Sequence, residues 1–117
     1  MDKSELQKRT KEFAVKIIQF TNNLPNNQTS WILAKQLIKS GTSIGANYRE
    51  ACRARSKTEF IVKIGIVEAE ADETIYWLEI INDCKLGVKG NIEYLLKEAK
   101  ELTAIFTSAG KTSRNNS

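Results

Sequence analysis

The segment between residues 56 and 86 carries a row of side chains, apolar except for one threonine, at alternating spacings of four and three residues. The row consists of Phe60, Ile64, Val67, Ala71, Thr74, Leu78 and Ile81. This spacing keeps every member on one face of an α-helix and is typical of long helices that cross at about 20°. Ser56 and Glu59 have the spacing of a capping box at its start. We therefore predict a long helix that packs within a bundle.

A second apolar row lies beside the first on the same predicted helix. It consists of Val62, Ile66, Ala69, Tyr76 and Ile80. A helix that is apolar on two faces either lies at the centre of a bundle or buries its second face against another subunit. Both interpretations are compatible with the sequence.

Three further segments have helical periodicity, and breakers separate them. The predicted helices cover residues 4–23, 28–53, 56–86 and 92–109. Pro25 lies in the first break, and Gly87 is placed to take a left-handed cap at the end of the third helix. Short connections between long helices make neighbours antiparallel. We predict an all-α, antiparallel up-down-up-down four-helix bundle, with residues 1–112 as its single domain and residues 113–117 as a disordered tail.

The second helix contains Gly41 and Gly45 in its interior, and each glycine costs about 1 kcal/mol relative to alanine. Either the helix is broken there or the small residues allow a second helix to approach closely. We favour a continuous, closely packed helix, with Trp31, Leu37 and Ile44 among the residues of its inner face.

Several classes of site are excluded by residue type. The 117-residue chain contains no histidine, which removes the commonest general base and the Glu-x-x-His ligands of di-iron bundles. The predicted hairpin places Cys52 and Cys84 at opposite ends, too far apart for a disulfide.

The polar N-terminus lacks an apolar signal core, and no apolar run is long enough to span a membrane. We expect a cytoplasmic, non-enzymatic protein that uses no cofactor, metal or small-molecule substrate and does not bind a membrane.

Charge is distributed unevenly along the chain. Residues 25–55 carry five basic and one acidic side chain, whereas residues 56–86 carry three basic and seven acidic ones. The contrast is explained by pairing between helices or subunits, or by a basic face that binds nucleic acid. Arg49, Arg53, Arg55 and Lys57 cluster around the predicted turn between the second and third helices. They form either a solvated helix end or a patch that contacts phosphate groups.

Five other residues occupy unusual positions beside the apolar rows. They are Asn47, Glu50, Glu70, Glu73 and Trp77. Glu70 and Glu73 lie one helical turn apart and have the spacing of an acid/base pair, but no second pair accompanies them. We favour a structural role, in which the five residues make hydrogen bonds to a neighbouring helix or subunit.

The middle of the chain resembles a bacterial family of four-helix-bundle proteins whose founding members are encoded in intervening sequences of large-subunit ribosomal RNA genes. The matching elements are Leu24-Pro25, Gln36-Leu37, Ser43-Ile44-x-x-Asn47-x-x-Glu50-Ala51, Ser56-x-x-Glu59-Phe60 and Glu70-Ala71-x-Glu73-Thr74-x-Tyr76-Trp77-Leu78. Gly45 departs from the pattern, because many members have proline there.

The resemblance implies a toroidal homopentamer of four-helix bundles without demonstrated enzymatic activity. A related branch includes the accessory variability protein of diversity-generating retroelements, which binds nucleic acid together with a reverse transcriptase. We therefore expect an oligomeric, non-catalytic protein with an RNA- or DNA-binding face. The alternatives are a protein-interaction scaffold or an accessory subunit for a partner such as a reverse transcriptase, and an enzyme that uses Glu70 and Glu73.

Overall fold

The computed structural model describes residues 1–116, which form four α-helices joined by short turns. The helices are α1 (Lys3–Thr21), α2 (Gln28–Cys52), α3 (Lys57–Asp83) and α4 (Lys89–Asn115). α2 packs against α1 and α3, and α4 packs against α3 and, over a smaller area, against α1. The result is an antiparallel up-down-up-down bundle with dimensions of 48 × 20 × 20 Å. The predicted fold class is confirmed.

Three of the four helices begin at a side-chain cap. Asp2, Asn27 and Ser56 each accept a hydrogen bond from the backbone N–H three residues later. Such a bond satisfies one of the backbone donors that have no partner within the helix. The predicted capping box is half formed, because the carboxylate of Glu59 accepts from the amide of Arg55 at 3.1 Å and not from that of Ser56.

The heptad row on α3 forms the centre of the core. Six of its seven members are buried, and Phe60 is partly buried against the same cluster. The polar member, Thr74, fits this position because its hydroxyl lies 2.8 Å from the carbonyl oxygen of Glu70 and 3.0 Å from the hydroxyl of Ser40. A buried hydroxyl with such partners avoids the cost of an unpaired polar group.

The glycines of α2 lie in a continuous helix that packs closely on α1, as predicted. A Cβ atom on Gly41 would lie 3.1 Å from Cγ1 of Ile17, and one on Gly45 would lie 3.2 Å from Oγ1 of Thr10. The missing side chains therefore allow α1 and α2 to approach each other over this part of the bundle.

Two local predictions were wrong. Trp31 is 68% exposed, because the buried face of α2 passes through Ser30 and Leu33 and the Trp31 indole instead donates to Asn26 Oδ1. The left-handed residue after α3 is Lys85, with φ of 57°.

Gly87 has a different role from the predicted one. A Cβ atom there would lie 2.5 Å from Cζ of Phe20 and 2.8 Å from Cδ1 of Ile92. Glycine at this position therefore allows the turn before α4 to pass close to the core.

The C-terminal boundary also differs from the sequence interpretation. α4 continues to Asn115, three residues into the segment that was assigned to the tail, and Ser117 lies outside the described residues. Gly110 is buried within this last part of the helix, where its nearest neighbours include Arg114 and Ile64.

Both cysteines, Cys52 and Cys84, are free thiols. None of the four described helices combines the length and apolarity that a membrane span requires.

Candidate functional site

The predicted basic cluster lies at the turn that joins α2 to α3. Arg49 is in the last turn of α2, Arg53 caps that helix, Arg55 is in the connection and Lys57 is the first residue of α3. All four side chains are exposed. None of them forms an ion pair with another residue in the described range 1–116. Four cationic groups are therefore accessible at one end of the bundle.

Helix electrostatics explain only part of this cluster. Arg49 and Arg53 lie at the C-terminal end of α2, where a positive charge interacts favourably with the helix dipole. Lys57 lies at the N-terminal end of α3, where the same interaction is unfavourable. The interaction with the helix dipole therefore does not account for the position of Lys57.

The five polar residues do not form one site. Asn47 is half-buried and donates to the carbonyl oxygen of Ser43 at 2.8 Å, within its own helix. Glu50 lies 3.7 Å from Nζ of Lys63, so it links α2 to α3 near the basic turn. This contact is long, and the Glu50 side chain is 58% exposed, so its contribution to stability is small.

Glu70, Glu73 and Trp77 lie further along α3. Glu73 is exposed and accepts a hydrogen bond from the indole N–H of Trp77 at 3.3 Å. Trp77 packs partly on the core, and its ring meets that of Tyr76 edge-on, with centroids 5.0 Å apart. The side chain of Glu70 is half-buried. No group of three or more potential metal-binding side chains occurs within residues 1–116.

Four of the five members of the second apolar row of α3 are exposed in the single chain, and the fifth, Ile80, is partly buried against the core. Val62 is 59% exposed, Tyr76 55% and Ile66 40%. This observation excludes the interpretation that the row as a whole belongs to the chain's own core. The alternative interpretation is that another subunit buries this row, and it involves a surface that a single chain does not contain.

The edge between α1 and α4 contains polar contacts that sequence reasoning missed. Arg9 forms a two-pronged pair with Glu98, through bonds of 2.7 and 2.6 Å. The hydrogen bonds that Arg9 donates to the Glu98 carboxylate raise the pKa of the Arg9 guanidinium above its ordinary value. Lys16 donates to the hydroxyl of Tyr94 at 2.6 Å, which raises the pKa of the Lys16 ammonium.

These partners are 78 and 89 residues apart in the sequence, so no local pattern could have revealed them. Beside the Lys16–Tyr94 contact, an open groove of about 460 Å³ lies between the C-terminal part of α1 and the first turns of α4.

The family model described as 23S rRNA-intervening sequence protein matches residues 2–108. The chain belongs to this family. The match extends from the cap of α1 to a point about two turns before the end of α4 and includes every candidate residue named above.

One solved structure supports this assignment at the level of the fold. It is the 1.70 Å crystal structure of a protein with unknown function from the S23 ribosomal protein family of Bacteroides thetaiotaomicron. The two sequences are 37% identical, the TM-score is 0.83, and the match covers 90% of this chain and 97% of the other. Comparison with curated proteins finds no match.

Proposed function

We propose that this member of the 23S rRNA-intervening sequence protein family is a non-catalytic homo-oligomer that binds RNA through exposed basic side chains. The observation that carries the proposal is the set of four cations at the α2–α3 turn that form no ion pair with another residue of the described part of the chain. Lysine and arginine in such a setting neutralise phosphate groups and release counterions from the nucleic acid. The family's description refers to an intervening sequence of 23S rRNA, and RNA is therefore the first nucleic acid to test.

Oligomer formation is supported by the exposed row on α3. Val62, Ile66 and Tyr76 form an apolar stripe on the segment that is also the most acidic of the chain. Residues 25–55, which include most of α2, carry the opposite charge. An interface between these unlike surfaces is heterologous, and repeated heterologous contacts form a ring when the rotation closes. The family resemblance points to a ring of five subunits.

A ring would also strengthen RNA binding. Each subunit carries a formal charge of only +4, but every copy would present its own basic turn. Several weak contacts on one RNA reinforce each other through their high effective concentration. The absence of histidine and the spread of the acidic residues over α3 favour a binding role over catalysis. The free thiols Cys52 and Cys84 are consistent with a cytoplasmic location, which we include in the proposal.

The basic turn is tested by changing Arg49, Arg53 and Arg55 together to Ala. We expect the dissociation constant for a labelled single-stranded RNA to rise at least tenfold at low salt. The slope of log K against log salt should fall in magnitude by about 2, because each phosphate contact on a single strand contributes about 0.7. Fluorescence anisotropy at several salt concentrations measures both quantities.

A second triple variant controls for the loss of charge. Lys35, Lys97 and Lys100 are also exposed, and they lie in the first halves of α2 and α4, towards the end of the bundle opposite the turn. Their change to Ala removes the same formal charge and should have a smaller effect on both quantities. Unchanged affinity for RNA and duplex DNA in the arginine variant, or equal losses in the two variants, would show that the turn is not the binding surface.

A scaffold for a protein partner is the second candidate function, and the exposed α3 row favours it. A partner helix could cover Val62, Ile66 and Tyr76 as well as another subunit does. A stable complex with another protein that persists after nuclease treatment, together with no affinity for RNA, would support the scaffold over RNA binding.

A further inference from the structure

The groove between α1 and α4 lies at the opposite end of the bundle from the basic turn. It is lined by Lys16, Gln19, Phe20, Asn23, Asn91, Tyr94 and Leu95. Phe20 and Leu95, only 5% and 2% exposed, belong to the core and form its apolar floor. A concave site with an apolar floor and a few polar groups is typical of small aromatic ligands, and about 460 Å³ is within the usual range of such sites.

Three carboxamide side chains surround this floor. Those of Gln19 and Asn91 have no hydrogen-bond partner among the described residues, and Asn23 uses only its Nδ2, which donates to the Gln19 carbonyl oxygen at 3.2 Å. Each free carboxamide offers both a donor and an acceptor. This is the chemistry that pairs with the edges of nucleobases.

Tyr94 supplies an aromatic surface at the rim of the groove. Its side chain is 49% exposed, and the ammonium of Lys16 lies 4.5 Å from the ring centroid and 2.6 Å from the hydroxyl. The hydroxyl is thus held in place while much of the ring remains accessible. Bases of single-stranded nucleic acid stack on such rings, at about 1–3 kcal/mol per base.

A basic strip along α1 leads to the groove. A neighbouring shallow depression is lined by Lys8, Lys11, Glu12, Val15, Lys16 and Gln19, so the two concavities share Lys16 and Gln19. Lys8, Lys11 and Lys16 form no ion pair with another described residue. Glu12 is the single acidic residue of the strip. Three cations in a row beside an aromatic ring fit a phosphate backbone with one base turned into the groove.

We propose that this groove binds one unstacked base of a single-stranded RNA, with Tyr94 as the stacking surface and the α1 lysines beside the flanking phosphates. The inference rests on the proposed RNA-binding function and adds a preference for single strands. A base within a duplex is stacked and paired, so it cannot enter the groove. The basic turn, by contrast, carries charge alone and contacts single and double strands alike.

The test compares two labelled probes, an unstructured single-stranded RNA and the same strand annealed to its complement, with a length and guanine–cytosine content that keep the duplex intact during the assay. Tyr94→Leu should weaken binding of the single strand about tenfold and leave binding of the duplex unchanged, whereas Tyr94→Phe should retain the affinity of the original protein to within about threefold. Trp31→Leu is the matched control, because it removes another exposed aromatic side chain, 68% exposed, from α2.

Circular dichroism establishes that each variant is folded before its affinity is measured. If Tyr94→Leu fails to fold, Asn91→Asp replaces it. Asn91 is exposed, and a carboxylate there should weaken single-strand binding through repulsion of the RNA.

The possible outcomes distinguish the proposal of a base-binding groove from the RNA-binding function on which it rests. Equal affinity of Tyr94→Leu and the original protein for the single strand overturns the groove but leaves the basic turn intact. Equal losses on the single strand and the duplex overturn it as well. No binding of either probe by the original protein overturns both proposals.

Discussion

The two edges of α1 are built in opposite ways. Towards α2, glycines allow the helix backbones to approach, so that Gly41 and Gly45 lie against Ile17 and Thr10. Towards α4, the contacts are long polar side chains, and a groove opens beside them. The same helix therefore meets α2 through close backbone packing and meets α4 through long side chains. In this bundle, small residues allow close packing at one edge of α1, and charged residues bridge the wider edge.

Overpacking the close edge should produce the largest loss of stability. Gly41→Val forces new methyl groups against Ile17, and overpacking of this kind costs about 1–3 kcal/mol. Gly65→Val is the matched control, because no atom lies within 4 Å of a Cβ at that position. It should be neutral or slightly stabilising, since valine has a higher helix propensity than glycine. Urea unfolding followed by circular dichroism measures both, and equal losses would contradict the difference between the two edges.

Breaking the polar edge should cost less. Arg9→Met removes the two-pronged bond to Glu98, whose side chain is 15% exposed, while that of Arg9 is 25% exposed. We expect a loss of about 1 kcal/mol, between the values for exposed and buried ion pairs. Lys63→Met breaks the looser 3.7 Å contact with Glu50 and should change stability by less than about 0.5 kcal/mol.

These two variants also differ in their expected response to salt. The difference in unfolding free energy between Arg9→Met and the original protein should shrink as salt is added, because ions screen the pair. If Lys63→Met were as destabilising as Arg9→Met, the α1–α4 pair would not be a distinct structural element.

The sequence predicted the features that depend on local periodicity. The heptad row of α3 identified the core of the bundle, and the glycines of α2 identified a close helix contact. The motif between Gln36 and Leu78 indicated the family, which the family model confirms. Each of these signals is contained within a single helix or a pair of adjacent helices.

The features that the sequence did not reveal depend on contacts between distant segments or on one step around a helix. The left-handed residue after α3 is Lys85 and not Gly87, because Gly87 is required where the chain passes Phe20. Trp31 lies one residue outside the buried face that begins at Ser30. The Lys16–Tyr94 contact and its groove require α1 and α4 to meet, which no local pattern encodes.

The proposal of an RNA-binding oligomer is tested most directly by sedimentation of the protein with a labelled single-stranded RNA. We predict that the protein sediments as a multiple of 13.2 kDa, that the RNA sediments with it, and that Ile66→Glu on α3 reduces it to monomers. Ile18→Glu is the matched control, because Ile18 and Ile66 are 41% and 40% exposed, and it should leave the assembly intact. A protein that sediments as a 13.2 kDa monomer and leaves the RNA free would contradict the proposal.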